Sequence, residues 1–398
     1  AKRQEGLGAR APAVNLKFGH MAGVPSVDLA PFATAVNEKS VGAGIICLAS
    51  NPTWQHRPTG LWIHGSGTVN LAGVDYRNGD AIIGDIQVNA MSTQTNGHKE
   101  ALVVNGSLTI NATQMNIVGA SEPSGSDGDA WADYLEAIPA DVWSYIDDDH
   151  PGAPPIDDPL GHILPPVPGD PVVEETIDDD YVVAHGTVAA DGVYEVTLTP
   201  GYYPGGINLD SGLQTPLPDG TTSATTRVIL QGYGDGTKAV YSLGGDGGTT
   251  YTKSGLIVQG GASVVETDPG GVMLYITGEP TEGIPYGTVS LHGAGSNGIV
   301  QLSPRGDWMD PKQVNEEPGV SIWQDRNNPN EAIILGNASF SLSGTLYFPN
   351  NHVEVGGSGF QAGNQLICAS LDLHGTGDLG IAYDGRNGEI VIETVLVE

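Results

Sequence analysis

The chain has 398 residues, with 47 acidic against 15 basic side chains and a formal net charge of −32, a field that repels nucleic acid and anionic membranes and excludes both as partners. Hydrophobic residues make up 39 %, too many for a disordered polymer, and no run approaches the roughly 18 apolar residues of a membrane span, so the chain reads as soluble. Its 58 glycines, roughly 15 % against an average of about 7 %, predict a fold dense in turns.

Residues 1–49 form a basic segment leading into the first strands. Lys2, Arg3, Arg10 and Lys17 give the chain a basic head on an acidic body, an asymmetry that favours head-to-body contacts between copies. No apolar signal core follows Ala1, so any export signal or anchor is expected to have been removed or left out. Cys47, in GIICLAS, and Cys368, in NQLICAS, both follow apolar residues on strand-like segments. They read either as two buried structural thiols or as a disulfide tying two arrays together, which would suit an oxidising extracellular setting.

Residues 50–120 hold the first array. They divide into blocks of about 20 residues at 60–79, 80–99 and 100–119, and residues 63–71 are echoed by 103–110. That period suits the coil of a parallel β-helix, in which each coil stacks its inward Val, Ile and Leu on the next while Gly and Asn hold the corners. Asn105, Asn111 and Asn337 begin N-x-S/T triplets and read as corner asparagines.

Residues 121–181 are an acidic, Pro-rich connector. Trp131, Leu135 and Ile138 mark one face of a short helix that Pro139 ends, and residues 151–171 are too rich in proline for helix or central strand. This tract is expected to pack across the β-helix or to swing between domains. Two acidic triplets, Asp147, Asp148, Asp149 and Asp178, Asp179, Asp180, are the candidate metal ligands, with calcium as the ion. Neither matches a spaced calcium loop, a solvated acidic face explains both as well, and no cofactor is required.

Residues 182–398 hold the second array, with the same strand-then-glycine grammar at 256–261, 273–278, 289–293 and 352–357. His64, His292 and His374 each precede a corner glycine, which predicts a stacked turn position rather than a metal site. The alternating segment 389–398 reads as an ordinary last strand or as one suited to donation into a neighbour. The fold class predicted is all-β, a right-handed parallel β-helix (solenoid) in two arrays with a Pro-rich, partly helical acidic insertion; the alternative is an antiparallel β-sandwich.

No catalytic constellation emerges: the chain has no G-x-S-x-G elbow, H-E-x-x-H or phosphate loop. The best enzymatic candidate is Asp325-Arg326 beside Asn327 and Asn328, where an acid and a base could act on an acidic polysaccharide. A corner salt bridge with Asn-capped turns explains that group equally, and the chain is not expected to be an enzyme.

The segment SIWQDRNNPNEAIILGNASFSLSGTLYFPNNHVEV resembles the C-terminal region of the TadG-like Flp-pilus-assembly family and related bacterial surface proteins. Gln324, Asp325, Arg326, Asn328, Pro329, Gly336, Asn337, Leu342, Gly344, Thr345, Tyr347 and Pro349 stand at the matching places. The likeness extends to PGYYPGGI at 200–207, GVMLY at 271–275 and the Asp-Pro-Leu stretch beginning at Asp158. It implies a secreted or cell-surface protein of the bacterial envelope, associated with pili, adhesion or surface layers. Family members commonly carry an N-terminal membrane helix, which this sequence does not show. The expected function is an extracellular structural subunit that self-assembles into a homo-oligomer or filament through solenoid ends and terminal strands. The alternatives are an adhesin that stacks surface glycans on Trp54, Trp62, Trp308 and Trp323, most of which core packing explains better, and, third, a polysaccharide-degrading enzyme.

Overall fold

The structure is a computed structural model that describes residues 43–53, 59–74, 79–92, 101–112, 115–119, 121–123, 155–161, 163–210, 215–216, 222–223, 225–232, 239–245, 255–267, 271–293, 299–302, 319–336, 339–357, 360–375 and 379–383. The protein is all-β, and 25 of its strands join one hydrogen-bonded network. Pairing in that network is parallel except between Thr187–Val188 and Tyr194–Leu198, so the antiparallel sandwich does not describe it.

Within the parallel ladders, strands that are neighbours in sequence do not pair. Thr226–Leu230, Ala239–Leu243 and Gly255–Gly260 follow one another, yet they pair with Ser263–Glu266, Val272–Ile276 and Thr288–Gly293 respectively. Every third strand therefore returns to the same ladder, and three parallel ladders grow side by side. In each ladder alternate residues fall on one face. Ile207, Leu256, Val289, Ala332, Val353 and Leu371 occupy successive rungs of one such row, and all are 0 or 1 % exposed. Burying each such side chain contributes about 1.5–3 kcal/mol, and that energy is gained only when the next rung is in place.

The expected period of about 20 residues holds only locally. Gly260, Gly293, Gly336 and Gly357 form one glycine row, but Gly278 stands outside it. The described loop 277–287 leaves between ladders and lengthens the repeat, yet Thr288–Gly293 after it still pairs in register with Gly255–Gly260. In the first array Leu61–Asn70 pairs in full register with Leu102–Asn111, so the first and third blocks are adjacent rungs. The middle block instead turns back through the antiparallel pair Ala72–Val74 and Ala81–Ile83, then enters another ladder as Asp85–Val88.

The two arrays meet at a seam. Gln365–Gly375 and Leu379–Ala382, the last described strands, pair with Ala43–Cys47 and Leu61–Asn70, the first. The rung that follows residue 382 in space is thus the one that begins at residue 43. At the opposite end of the ladders the helix Asp179–His185 covers the first rung, with Val182 buried in the core and Tyr181 packed against it.

Residues 155–172 run back along the outside as a strap. Near its start Ile156 exchanges hydrogen bonds with the Asn89 side chain, and at its end Val172 N donates to Tyr202 O at 2.8 Å. Between these anchors lie about seven rungs, roughly 34 Å at 4.8 Å each, a distance that fifteen residues reaching about 46 Å when extended at about 3.1 Å each cover with enough to spare for the turn at 158–163. The proline-rich connector therefore lies across the ladders, one of its two expected dispositions. The predicted helix around Trp131, Asp147, Asp148, Asp149, Trp54, Trp308, Asn337 and the segment 389–398 lie outside the described residues.

Candidate functional site

The outward face of one ladder carries Tyr275, Trp323, Tyr347, Ile367 and Ile46 on successive rungs. Such a row would expose a large apolar patch, but Leu160 and Ile163 of the strap cover it, and Trp323 and Tyr347 are 0 % exposed. Trp323 is therefore packed in the core and cannot serve as the sugar platform that the adhesin alternative requires. Trp62, on another ladder, is partly exposed.

Arg326 clasps the strap. Its Nη1 donates to Ile163 O at 2.9 Å, its Nη2 to Leu160 O at 2.6 Å and its Nε to Tyr347 Oη at 2.8 Å. The guanidinium also stacks on Trp323 and Tyr347, 5.2 and 5.4 Å from the ring centres. Tyr347 passes the polarity on, donating to Asp158 Oδ2 at 2.5 Å, and Asp158 Oδ1 caps the strap's turn by accepting from Leu160 N. Burial and then the Asp158 hydrogen bond push the Tyr347 hydroxyl well above its ordinary pKa, so it stays a donor.

Asp325 faces elsewhere. It accepts from Asn327 N at 2.7 Å and from the Tyr275 hydroxyl, whose pKa burial and this bond raise. Asp325 and Arg326 thus serve different neighbours, and the expected corner salt bridge between them is replaced by Arg326 with Asp158, Nε to Oδ2 3.9 Å. The rest of the motif is a corner. Asn328 and Asn330 donate to Gly287 O, Asn351 donates to Asn328 O and Asn330 O, and Gln324 Nε2 donates to Asn330 O at 2.7 Å. Gly344 takes φ 87°, Thr345 and Pro349 are buried, Gly336 sits in the glycine row, and Pro329 is exposed. Each asparagine ties one rung's turn to the next.

A second polar row crosses the seam. Glu354, Asp372 and Trp62 share a register, as do His374 and His64 one step along. His374 Nε2 lies 2.9 Å from Glu354 Oε1, His64 Nε2 lies 2.9 Å from Asp372 Oδ1, and the two imidazoles stack at 5.3 Å. Desolvation raises the Asp372 pKa while His64 and His374 oppose it. His64 and His374 occupy the stacked turn position that the sequence indicated. His292 lies on the same row three rungs before His374, its pKa lowered by burial against the pull of Glu354.

Cys47 and Cys368 are register partners at the seam, both buried, with free thiols 4.0 Å apart. Burial, together with the neighbouring thiol, pushes the Cys368 pKa well up.

The second acidic triplet is shared between a helix cap and its first turn. Asp178 caps the helix by accepting from Tyr181 N at 2.8 Å, Asp179 is buried and accepts from the Thr226 hydroxyl, and Asp180 points to solvent. Among the described residues no three His, Cys, Asp or Glu side chains converge as a metal site requires. The signal for this helix was an aspartate followed by two acids and an apolar run, which reads as an N-cap. No described helix is long and apolar enough to cross a membrane.

Chemically, the buried clasp holds chain segments together, while the partly exposed row offers an imidazole–carboxylate surface beside an indole. Comparisons with protein-family models, characterised proteins and solved structures return no match to this chain.

Proposed function

We propose that the chain is an extracellular structural subunit, a right-handed parallel β-solenoid that assembles with further copies into a filament or surface layer of the bacterial envelope. One observation carries this reading: three parallel ladders stacked rung on rung, with a helix covering only one end of the described stack. A ladder leaves unpaired N–H and C=O groups wherever it stops, and those groups template another strand. The end at Asp179–His185 is blocked by that helix and by the short antiparallel strand Thr187–Val188, which interrupts the parallel ladder, so assembly uses the end near Met115–Ile117 and Ser121–Pro123 or the seam. The net charge of −32 suits a solvated exterior, and cations such as calcium would screen repulsion between copies. The resemblance to TadG-like surface proteins supports the same setting.

Electron microscopy of the purified chain, with and without calcium, tests the proposal. Fibres or sheets are expected, and monodisperse particles at every calcium and protein concentration would sink it.

The partly exposed Trp62, beside His64 and above Asp372, favours one second reading: a glycan-binding surface that stacks a sugar on the indole and hydrogen-bonds it to the acids. A glycan array separates the two, because Trp62→Ala would abolish array binding and leave assembly intact.

A further inference from the structure

We infer that the seam is an exchange interface, at which the N-terminal unit of one copy stacks on the C-terminal rungs of a second copy. The inference rests on the assembly reading above and names its partner and its moving part.

The seam is made of the same contacts as every other rung. Ile45 pairs with Leu366, Leu61 with Leu371 and Val69 with Leu379, and each of these residues is buried. No tight turn covalently fixes one side to the other. The sides are more than three hundred residues apart in the chain and are linked through the strap. The seam chemistry is therefore the same whether the incoming rung belongs to the same copy or to its neighbour. Only effective concentration favours the chain's own rung.

The strap shows where the exchange hinges. Its first part is tied to the N-terminal rungs, where Ile156 exchanges hydrogen bonds with Asn89, and it then crosses the seam so that Leu160 and Ile163 dock under Arg326. Its last part belongs to the C-terminal side, where Pro171 bridges to Tyr202. Between them, in residues 164–170, Leu164 is 83 % and Val167 89 % exposed and Gly169 and Asp170 face solvent, while the three prolines rest partly buried. This seven-residue stretch, LPPVPGD, has three prolines, which hold it extended and resist doubling back. Extended at about 3.1 Å per residue it reaches roughly 22 Å, enough to deliver the unit to an adjacent copy. The described N-terminal rungs, Ala43–Cys47 to Ser121–Pro123, and the strap's first part at 156–163 then move together, and the seam and clasp re-form on the partner.

The cysteines report which copy fills the seam. On neighbouring parallel strands about 4.8 Å apart, Cys47 and Cys368 meet the spacing of a disulfide. When the full chain is refolded with oxidised glutathione, the two thiols lose two protons and two electrons to form one Sγ–Sγ bond, and the glutathione disulfide is cleaved to two thiols. In an equimolar mixture of Cys47→Ser and Cys368→Ser chains, a seam disulfide can form only between copies. A covalent dimer carrying a Cys47–Cys368 linkage by peptide mapping, rising with protein concentration, is expected. Its absence would overturn the exchange, whether the wild-type chain forms the intramolecular bond or no seam disulfide at all. A deletion of residues 167–169 gives an independent readout: a shorter hinge strains the self-filled seam and moves the chain to larger species on size-exclusion chromatography, and an unchanged elution profile counts against the hinge. Fibres without the mixed dimer would leave assembly standing and remove exchange. A mixed dimer without fibres would do the reverse.

Discussion

Arg326 binds two strap carbonyls and a tyrosine at once, and only a planar fork can do so. Replacing it with alanine strands Leu160 O and Ile163 O and uncovers the Trp323 face, at a cost of about 2–4 kcal/mol from charged hydrogen bonds and lost stacking. Urea unfolding is expected to show that loss, and limited proteolysis is expected to cut the strap first; Arg326→Lys should recover only part of it. Two other buried groups set the pH response. Asp85 is 7 % exposed, one of its carboxylate oxygens has no hydrogen-bond partner, and burial raises its pKa to about 7. The folded state then holds a proton that the unfolded state releases, so stability falls as pH rises from about 4 to about 7. His352, bonded through Nδ1 to Ser370 at 2.8 Å, has its pKa lowered by burial to about 3. The unfolded state takes up that proton first, so stability falls as pH drops from about 6.5 to about 3. Between about 4 and 6.5 the two slopes oppose each other. Asp85→Asn is expected to gain stability on the order of 1.4 kcal/mol per unit across its window, reaching its full value above pH 7 and vanishing below pH 4. Equal gains at pH 3 and pH 8 in thermal melts would refute the assignment.

At the scale of the strand and its corner, glycine is required where a rung turns at the seam. Gly65 has φ 125°, and a Cβ there would stand 2.1 Å from Gly375 O. Gly79 has φ 76° with open space around it. Gly65→Ala is expected to cost several kcal/mol and Gly79→Ala only about 1, because the second pays for backbone strain alone. Similar melting shifts for the two would show that contact across the rungs is not the cause. The corner glycines and the histidines before them were legible in the sequence, because residues that stack on neighbouring rungs face the same constraint and repeat the same pair. The cysteines carried a like signal: GIICLAS and NQLICAS align on the cysteine, and their strands pair in that register. The clasp was not legible, since Arg326 binds backbone carbonyls that any residue supplies. Nor was the role of Asp178, Asp179 and Asp180, where charge drew attention from an ordinary N-cap. A repeat shows that rungs stack but does not say which rung follows which, and so the seam could not be read from periodicity.

For the molecule as a whole, the order of rungs in space is a cyclic shift of their order in sequence. Tyr383 lies beside Gly44, since a Cβ on Gly84 would stand 3.1 Å from both Gly44 N and Tyr383 Cγ. The connection that a simple solenoid would make, from the end of the last rung to the start of the next, is thus nearly in place. A chain that joins residue 383 to residue 43 through a short flexible linker, with new termini between residues 123 and 155, would run through its rungs in spatial order. The strap would become an N-terminal tail that lies on the ladders its own chain builds afterwards. The longest-range pairing, Cys47 with Cys368, would become local, and the entropy of closing that loop would leave the folding barrier. The permuted chain is therefore expected to keep the wild-type circular dichroism spectrum and to refold faster from urea. It should also lose the mixed-chain disulfide, because its seam is no longer a place where two separately tethered units meet. A permuted chain that aggregates while the wild type refolds would show that the strap must be tied at both ends for the ladders to close.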